Sequence, residues 1–401
     1  MTSENSTDSH RILGLRRQLV LFLLVVAALG VTGGIFETTF NNFLNDSFGI
    51  SAQARGRLEF PRELPGFLVT LMGGMLFFLS VTRLGVLSGI GIAVGTAGLA
   101  FAGSDYGAMI GFMVVWSAGN HLMMPVTNTI ALSLAPPERR AERLGQIGAV
   151  AMAATIVGSG IVWAGFEYLH VGYGTTFLIA AVGALVAAGF VSRLKPVETK
   201  EARRPRFVWK RRYSLFYLLN VFSGARKQVF MTFGPWVLVK VFGQPPQTIA
   251  KLWIVAAAIG IFFQPQLGKL IDRVGERVVL IGGSFALIGV CLGYGFAGEM
   301  PIANQVWVVY VCYVLDHLLF ATGIARATYL DKIAESREDI HPSLSLGVTI
   351  DHAVSMSIPA LGGLVWMVYG YPYVFLGAAG IAVMNMIAAA FIRVPRRRTE
   401  A

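Results

Sequence analysis

The feature that most constrains this chain is a series of apolar runs, each about 20 residues long, that recurs from one end to the other. A helical run of this length spans the hydrocarbon core of a bilayer. Of the 401 residues, 55% are hydrophobic and only 14% are charged, whereas a soluble globular protein is about a quarter charged. The sequence therefore predicts an all-α integral membrane protein.

About twelve spans can be delimited from the apolar windows. They cover residues 18–43, 58–80, 84–103, 107–133, 145–168, 171–192, 213–241, 248–270, 278–297, 304–330, 343–368 and 372–393. Lys and Arg are concentrated in alternate connections, above all in the stretch 193–212. The positive-inside rule then places both termini and this stretch in the cytoplasm, and the protein in the cytoplasmic (inner) membrane.

A group of charges near the first outer connection departs from this pattern. Arg55, Arg57 and Arg62 lie there, with Glu59 and Glu63 one helical turn apart in the same segment. Arg57, Glu59, Arg62 and Glu63 suit either an outer vestibule or exposed ion pairs. We interpret them as solvated salt bridges at the outer end of the second span.

The net charge of +11 does not indicate a nucleic-acid partner, because the sequence has no basic domain with interleaved aromatic residues. It shows no metal-ligand spacing, no nucleotide-binding loop and no arrangement of nucleophile and base. We therefore predict neither an enzyme nor a site for a cofactor or metal.

The basic linker 193–212 divides the chain into two segments of six spans, residues 1–192 and 213–401. Short stretches match between the segments, in order and at a nearly constant offset. The pairs are GGIFETTFNNF (33–43) with SGARKQVFMTF (223–233), TRLG (82–85) with DRVG (272–275), and NHL (120–122) with DHL (316–318). They indicate a duplicated six-helix unit. Such repeats are typical of secondary transporters, which bind substrate near the midplane between the halves.

The stretch GKLIDRVGER, residues 268–277, resembles the cytoplasmic loop signature of the major facilitator superfamily. The matching positions are Gly268, Asp272, Arg273, Gly275 and Arg277. The resemblance implies two pseudo-symmetric bundles of six helices, and a loop that latches the halves in one of two conformations. We expect the glycines to permit a tight turn, and Asp272 to cap a helix or pair with a cation.

The corresponding loop of the first half departs from the signature. Phe78 and Thr82 stand where the second half has Gly and Asp, although Arg83 and Gly85 remain. The latch is then either one-sided, or it acts in the first half through Arg83 alone.

Ionisable residues inside the spans are the candidates for function, because each costs about 2.5–3.5 kcal/mol to insert and normally faces a cavity or a partner. The resemblance implies that the first, fourth, seventh and tenth spans line the central cavity. The deep polar residues are Glu37, Asn120, His121, Arg226, Lys227, Gln228, Asp316, His317, Asp351 and His352.

Arg226 and Lys227 point about 100° apart on one helix, so both cannot aim at one point. We assign Arg226 as a substrate clamp, because its planar fork matches a carboxylate or phosphate. Lys227 is then the ion-pair partner of Glu37 or Asp316. The alternative is that both cations only pair with Glu37 and Asp316 and lock the two halves together. Glu37, Asn120, His121 and Gln228 complete the predicted substrate-binding set.

Asp316, His317 and Asp351 are the candidates for proton coupling, because burial and neighbours can bring such groups to titrate near neutral pH. The plainer interpretation is that the histidines make hydrogen bonds between helices.

These features favour a secondary active transporter that moves a small organic or inorganic anion by alternating access, coupled to protons. Its partners are then the substrate, the lipid bilayer and protons. An alternative is efflux of cationic or amphipathic compounds, attracted by the acids Glu37, Asp316 and Asp351. A hypothesis of another class is a receptor or scaffold that transports nothing.

Overall fold

The computed structural model describes residues 2–71, 79–102, 105–135, 140–196, 209–301 and 304–394, and these form α-helices joined by short turns. The helices are α1 (Thr2–Phe48), α2 (Ala52–Leu71), α3 (Val81–Phe101), α4 (Tyr106–Ser133), α5 (Arg140–Glu167), α6 (Tyr173–Val191), α7 (Ser214–Lys240), α8 (Pro246–Val274), α9 (Glu276–Phe296), α10 (Val306–Leu319), α11 (Gly323–Ile333), α12 (Arg337–Tyr369) and α13 (Tyr371–Ala390).

Each predicted span overlaps one of these helices within the described residues, the second only as far as Leu71, and the tenth is divided between α10 and α11. Among the described residues, ten helical segments are long and apolar enough to cross a membrane. α7 falls short of that standard because Arg226 and Lys227 interrupt its apolar sequence, whereas α2 is described only to Leu71 and its described part holds the charged residues of the predicted second span. The all-α membrane fold is therefore confirmed, and its two most polar helices need a separate explanation.

The two halves repeat one packing pattern. α1 packs against α5 and α6, and α3 against α4 and α6. In the second half, α7 packs against α12 and α13, and α9 against α10 and α13. The first span of each half thus contacts the fifth and sixth, and the third contacts the fourth and sixth. This correspondence supports the duplication that the sequence matches predict.

A matched pair of glycines permits the closest of these contacts. A Cβ atom at Gly34 on α1 would collide with the backbone of Thr155 on α5. A Cβ atom at Gly224 on α7 would lie 2.7 Å from Oδ1 of Asp351 on α12. Both positions therefore require glycine for helix packing, as is common between membrane helices.

The chain forms two compact units that do not follow the order of the sequence. The first contains residues 1–48, 72–202 and 246–257, and the second contains 49–71, 203–245 and 258–401. α2 thus belongs to the second unit, where its backbone approaches α12. A Cβ atom at Gly363 would lie 2.7 Å from the carbonyl oxygen of Ala52.

The signature loop joins α8 to α9 at Gly275, which has φ +84° and ψ 162°. Only glycine adopts this conformation readily, so the predicted role for Gly275 is confirmed. Gly268 instead lies inside α8, so its predicted role in the turn is wrong. Asp272 and Arg273 are exposed in the last turn of α8, and Arg277 is exposed in the first turn of α9.

The N-cap of α9 is Gly275 and not Asp272, which lies in the last turn of α8, so the capping or pairing expected of Asp272 stays a prediction. The acid that is paired at this loop is the buried Glu276, whose Oε1 lies 2.6 Å from Nζ of Lys332. An acid in the first turn of a helix also suits the helix dipole.

Replacing Gly275 with alanine is expected to lower the free energy of unfolding by about 1–3 kcal/mol, because alanine is strained at this φ. The matched control is Gly268→Ala, since a Cβ atom there meets no neighbour within 4 Å and alanine favours the helix by about 1 kcal/mol. Chemical denaturation of the purified protein in detergent measures both. Equal effects of the two changes would contradict the assigned turn.

Several residues named from the sequence lie outside the described part of the chain: Phe78, Arg139, linker residues 197–208 and the tail 395–401. The described end of the linker is anchored to the second unit. Nζ of Lys210 lies 2.7 Å from Oε2 of Glu335 and 2.6 Å from Oδ2 of Asp339. Hydrogen bonds to Asp339 and then Glu335 raise the pKa of Lys210 above its usual value.

Candidate functional site

A buried ion pair of the second unit joins Arg226 on α7 to Asp316 on α10. Nη2 of Arg226 donates to Oδ1 of Asp316 and also to its backbone carbonyl, at 3.3 Å. The two residues are only 7% and 3% exposed. The guanidinium also lies 4.5 Å from the ring centroid of Phe320 and 5.6 Å from that of Phe230. Arg226 is therefore held by charge, hydrogen bonds and two aromatic faces.

An interruption of the tenth span creates this arrangement. α10 ends at Leu319, a 3₁₀ turn occupies Phe320–Thr322, and α11 begins at Gly323. The turn lies one helical turn beyond Asp316, whose carbonyl also accepts the N–H of Phe320. Short 3₁₀ segments inside a helix often mark a hinge at a functional site.

Lys227 pairs with Asp351 on α12, and both side chains are about one-quarter exposed, at 26% and 24%. The prediction that Lys227 pairs with Glu37 or Asp316 is therefore wrong. The physical reason is local packing, because Gly224 brings α12 against α7 beside Asp351. The expected divergence of the two cations is confirmed, since each pairs with an acid on a different helix.

The charged segment of α2 is buried in the second unit. Glu59 is fully buried, and its carboxylate accepts from Nη1 of Arg55 at 2.5 Å, Nη1 of Arg62 at 3.0 Å and Nε2 of Gln228 at 2.7 Å. The interpretation of these charges as solvated salt bridges is therefore wrong for Glu59, Arg62 and Glu63, which are buried, and Arg57 alone of the four is exposed.

A second acid of this segment reaches α12. Oε2 of Glu63 lies 3.1 Å from Nδ1 of His352, and both side chains are largely buried. Together with Gln228, this contact links α2 to α7 and α12 through polar groups. The sequence signal that was missed is the spacing itself, since Arg55, Glu59, Arg62 and Glu63 all recur on one helical face.

Three predicted residues belong to the first unit. Glu37 on α1 and Asn120 and His121 on α4 are half-buried. Nδ1 of His121 lies 2.9 Å from the carbonyl oxygen of Ser117, one turn earlier. A carbonyl only accepts, so Nδ1 carries the proton in this bond.

His317 makes the same type of contact in the second unit, with Nδ1 2.9 Å from the carbonyl oxygen of Tyr313. His317 and His121 are the residues that the sequence repeat aligns, and both bond to the turn before them. These two bonds join residues of the same helix, whereas the plainer interpretation expects hydrogen bonds between helices.

Arg326 on α11 is a cation that the sequence analysis did not select. It lines one small cavity, of about 30 Å³, together with Arg226. The acid that acts on it most strongly is Asp351, which is already bonded to Lys227. Arg326 lies near the end of the tenth apolar run, where a cation is easily taken for a residue at the membrane surface.

The charges around α7 therefore do not balance within the described residues. Arg226, Lys227 and Arg326 supply three cations, and Asp316 and Asp351 supply two acids. The buried segment of α2 contributes two of each sign, namely Arg55 and Arg62 against Glu59 and Glu63. Among these nine residues the cations therefore outnumber the acids by one, five against four.

Comparison with known proteins decides the family. The profile of the Major Facilitator Superfamily matches residues 22–338. The chain belongs to the major facilitator superfamily. It is accordingly a multi-pass membrane transporter of small solutes, rather than an enzyme.

Solved structures of the superfamily share the fold over nearly the whole chain. The nucleoside transporter NupG superposes with a TM-score of 0.74 at 15% sequence identity, over 93% of this chain and 98% of that one. A D-xylose-proton symporter superposes with a TM-score of 0.70 at 13% identity, over 94% and 98%. A bacterial homologue of the lysosomal transporter Spinster gives 0.64 at 15% identity, over 93% of each.

A curated relative within the superfamily matches part of the sequence. The class E tetracycline resistance protein of Escherichia coli is 27% identical over 137 residues. The match covers 34% of this chain and 32% of the relative, so this chain spans about a third of the length of that protein. At such identities and coverage, the comparisons establish family and fold and leave the substrate to the residues of the site.

Proposed function

We propose that this transporter moves a small anion by alternating access, and that protons are coupled to its transport. The observation that carries the proposal is the excess positive charge formed by Arg226, Lys227 and Arg326 against Asp316 and Asp351. An uncompensated charge in a water-poor interior is costly. Binding one negative charge therefore stabilises this part of the protein.

Arg226 is the residue we assign to contact the anion. Its Nη2 is bonded to Asp316, but its buried Nε has no hydrogen-bond partner among the described residues. One edge of the guanidinium thus holds the acid while another donor stays available. The remaining predicted residues, Glu37, Asn120, His121 and Gln228, are proposed to contribute polar contacts on α1, α4 and α7.

Asp316 is the group through which we propose that protons act. Protonation of its carboxylate removes the negative charge that faces Arg226, and the excess positive charge rises from one to two. The protonated protein then suits an anion of higher charge, so proton and anion bind together. Asp351 offers the same chemistry to Lys227, and His317 lies next to Asp316 on α10.

We propose that the two halves that alternate during transport are the sequence repeats, residues 1–192 and 213–401, which the basic linker joins. We further propose the cytoplasmic membrane as the location, with both termini in the cytoplasm. The burial of Arg55 and Arg62 supports this orientation, because these residues are not free loop charges of the kind the positive-inside rule counts. A C-terminal green fluorescent protein fusion tests it, since fluorescence is expected only from the cytoplasmic side.

Flux measurements test the anion proposal. In proteoliposomes that contain the purified protein, uptake of labelled lactate, propionate, phosphate and sulfate is measured with and without an imposed pH gradient. At least one anion is expected to enter saturably, and faster when the outside is more acidic. Arg326→Gln is expected to reduce this uptake at least about tenfold, a loss of about 1.4 kcal/mol in binding.

Arg193→Gln is the matched control, because Arg193 is exposed beyond the end of α6 and this change is expected to leave uptake unchanged. Equal uptake by the Arg326→Gln variant and the unaltered protein would count against the excess charge as the binding determinant. Uptake at the same rate with and without the pH gradient would count against proton coupling but not against anion transport.

A second candidate is efflux of a cationic or amphipathic compound, and the match to the class E tetracycline resistance protein favours it. In this case Asp316 and Asp351 would attract the substrate. Both acids are already paired with cations, which speaks for the anion proposal. Increased resistance of cells that overproduce the protein, in a panel of cationic toxins and tetracyclines, would support this alternative.

A further inference from the structure

A cavity of about 30 Å³ lies inside the second unit, between α7, α9, α13 and the interrupted tenth span. Its polar lining comes from Ser223, Arg226, Ser284, Thr322, Arg326 and Asn385. Leucine, isoleucine and phenylalanine side chains provide the rest of the wall. Polar groups that converge in an otherwise apolar wall are the lining that small-molecule sites share. In this conformation the cavity has room for about two water molecules, so a bound anion widens it.

Three buried polar atoms of this lining have no hydrogen-bond partner among the residues that the structure describes. They are Nε of Arg226, Nε of Arg326 and Oδ1 of Asn385. Folded proteins pair nearly all of their buried polar atoms, so three unpaired atoms around one cavity point to a ligand. The two arginines offer donors, and the asparagine offers an acceptor.

The hydrogen bonds around Asn385 fix which end of its amide is available. Oγ of Ser284 donates its single proton to the carbonyl oxygen of Leu280, at 2.8 Å. The hydroxyl can therefore only accept from Asn385, whose Nδ2 lies 2.9 Å away. This leaves Oδ1 as the polar atom of Asn385 that a ligand can bind, and it requires a hydrogen-bond donor.

We propose that this cavity binds a small oxyanion that carries a hydroxyl group, such as a 2-hydroxy carboxylate or hydrogen phosphate. The anionic oxygens accept from Nε of Arg226 and Nε of Arg326, and the hydroxyl donates to Oδ1 of Asn385. This inference rests on the proposed anion transport and narrows its substrate class. Asn385 makes the site selective for anions with a hydroxyl, because an anion without one leaves Oδ1 of Asn385 buried and unpaired.

Two matched pairs of anions test the assignment on the purified full-length protein in detergent, with binding measured by calorimetry. Lactate and propionate differ by one hydroxyl, and phosphate and sulfate at neutral pH differ in the same way. In at least one pair, the hydroxylated member is expected to bind about tenfold more tightly, the value of one hydrogen bond. The pair that shows the preference identifies the carboxylate or the phosphate as the ligand.

Asn385→Leu replaces the acceptor by an apolar side chain of similar size. This variant is expected to lose the tenfold preference and to bind the member without the hydroxyl as the unaltered protein does. Unchanged binding of that second anion also shows that the variant is folded. Met384→Ala, at the exposed neighbouring position, is the control and is expected to keep the preference.

The outcomes separate this inference from the function on which it rests. Binding or flux of anions without any hydroxyl preference overturns the role of Asn385 and leaves anion transport standing. A preference that persists in Asn385→Leu overturns it as well. Failure of all four anions to bind or to be transported overturns both proposals.

Discussion

Replacing Arg226 with methionine is expected to lower the free energy of unfolding by about 3–5 kcal/mol and to abolish anion uptake. The change leaves Asp316, only 3% exposed, without the cation that faces it, and a buried carboxylate that loses its partner is strongly destabilising. Denaturant titration in detergent measures the stability, and proteoliposome uptake measures the function.

The double variant Arg226→Met with Asp316→Leu separates the two effects. Because an ion pair replaced by apolar residues of similar volume is often as stable as the original, most of the lost stability is expected to return. Uptake is expected to stay lost, because the anion still lacks its donor. Full uptake by the stable double variant would refute Arg226 as a binding residue.

Replacing Glu59 with glutamine is expected to cost a similar amount, about 3–5 kcal/mol, because it removes the carboxylate shared by Arg55, Arg62 and Gln228. The amide oxygen of glutamine can still accept hydrogen bonds, but it carries no negative charge to balance two buried guanidinium groups. The loss is therefore electrostatic and should persist although the side chain keeps its shape.

Arg57→Gln on the same helix provides the comparison. Arg57 is exposed, and an exposed substitution usually changes stability by no more than about 0.5 kcal/mol. Both variants are compared by denaturant titration under identical detergent conditions. If Glu59→Gln were as mild as Arg57→Gln, the burial of the α2 charges would be refuted.

The sequence predicts the helices of this protein well because lipid imposes a simple rule. Every span must be about 20 residues long and apolar, so the windows locate α3, α6 and α13 within a few residues. The repeat could also be found, since Gly34 and Gly224 serve the same close packing in their own halves.

The same rule misleads where a helix is polar. Arg55, Glu59 and Arg62 look like residues of an outer loop when hydropathy is read along the chain, because their compensation comes from α7 through Gln228 and from their own helical turns. Pairing across helices depends on packing between distant segments, and no local window contains that information.

The candidate site shows the same limit. Arg226 could be selected from its position alone, and its divergence from Lys227 follows from helix geometry. The identity of each partner could not be predicted, because Asp351 reaches Lys227 only through the glycine at 224. Asn385 carries no sequence signal, since one amide in an apolar run looks like any other.

The break in the tenth span bears on how strongly the proposed anion is bound. Arg226 is bonded to α10 through Asp316, whereas Arg326 lies on α11, beyond the 3₁₀ turn Phe320–Thr322. Bending at this turn alters the separation of the two guanidinium groups, and their joint attraction for a negative charge varies with that separation. We therefore expect a change in the shape of this one helix to strengthen or weaken the binding of the proposed anion.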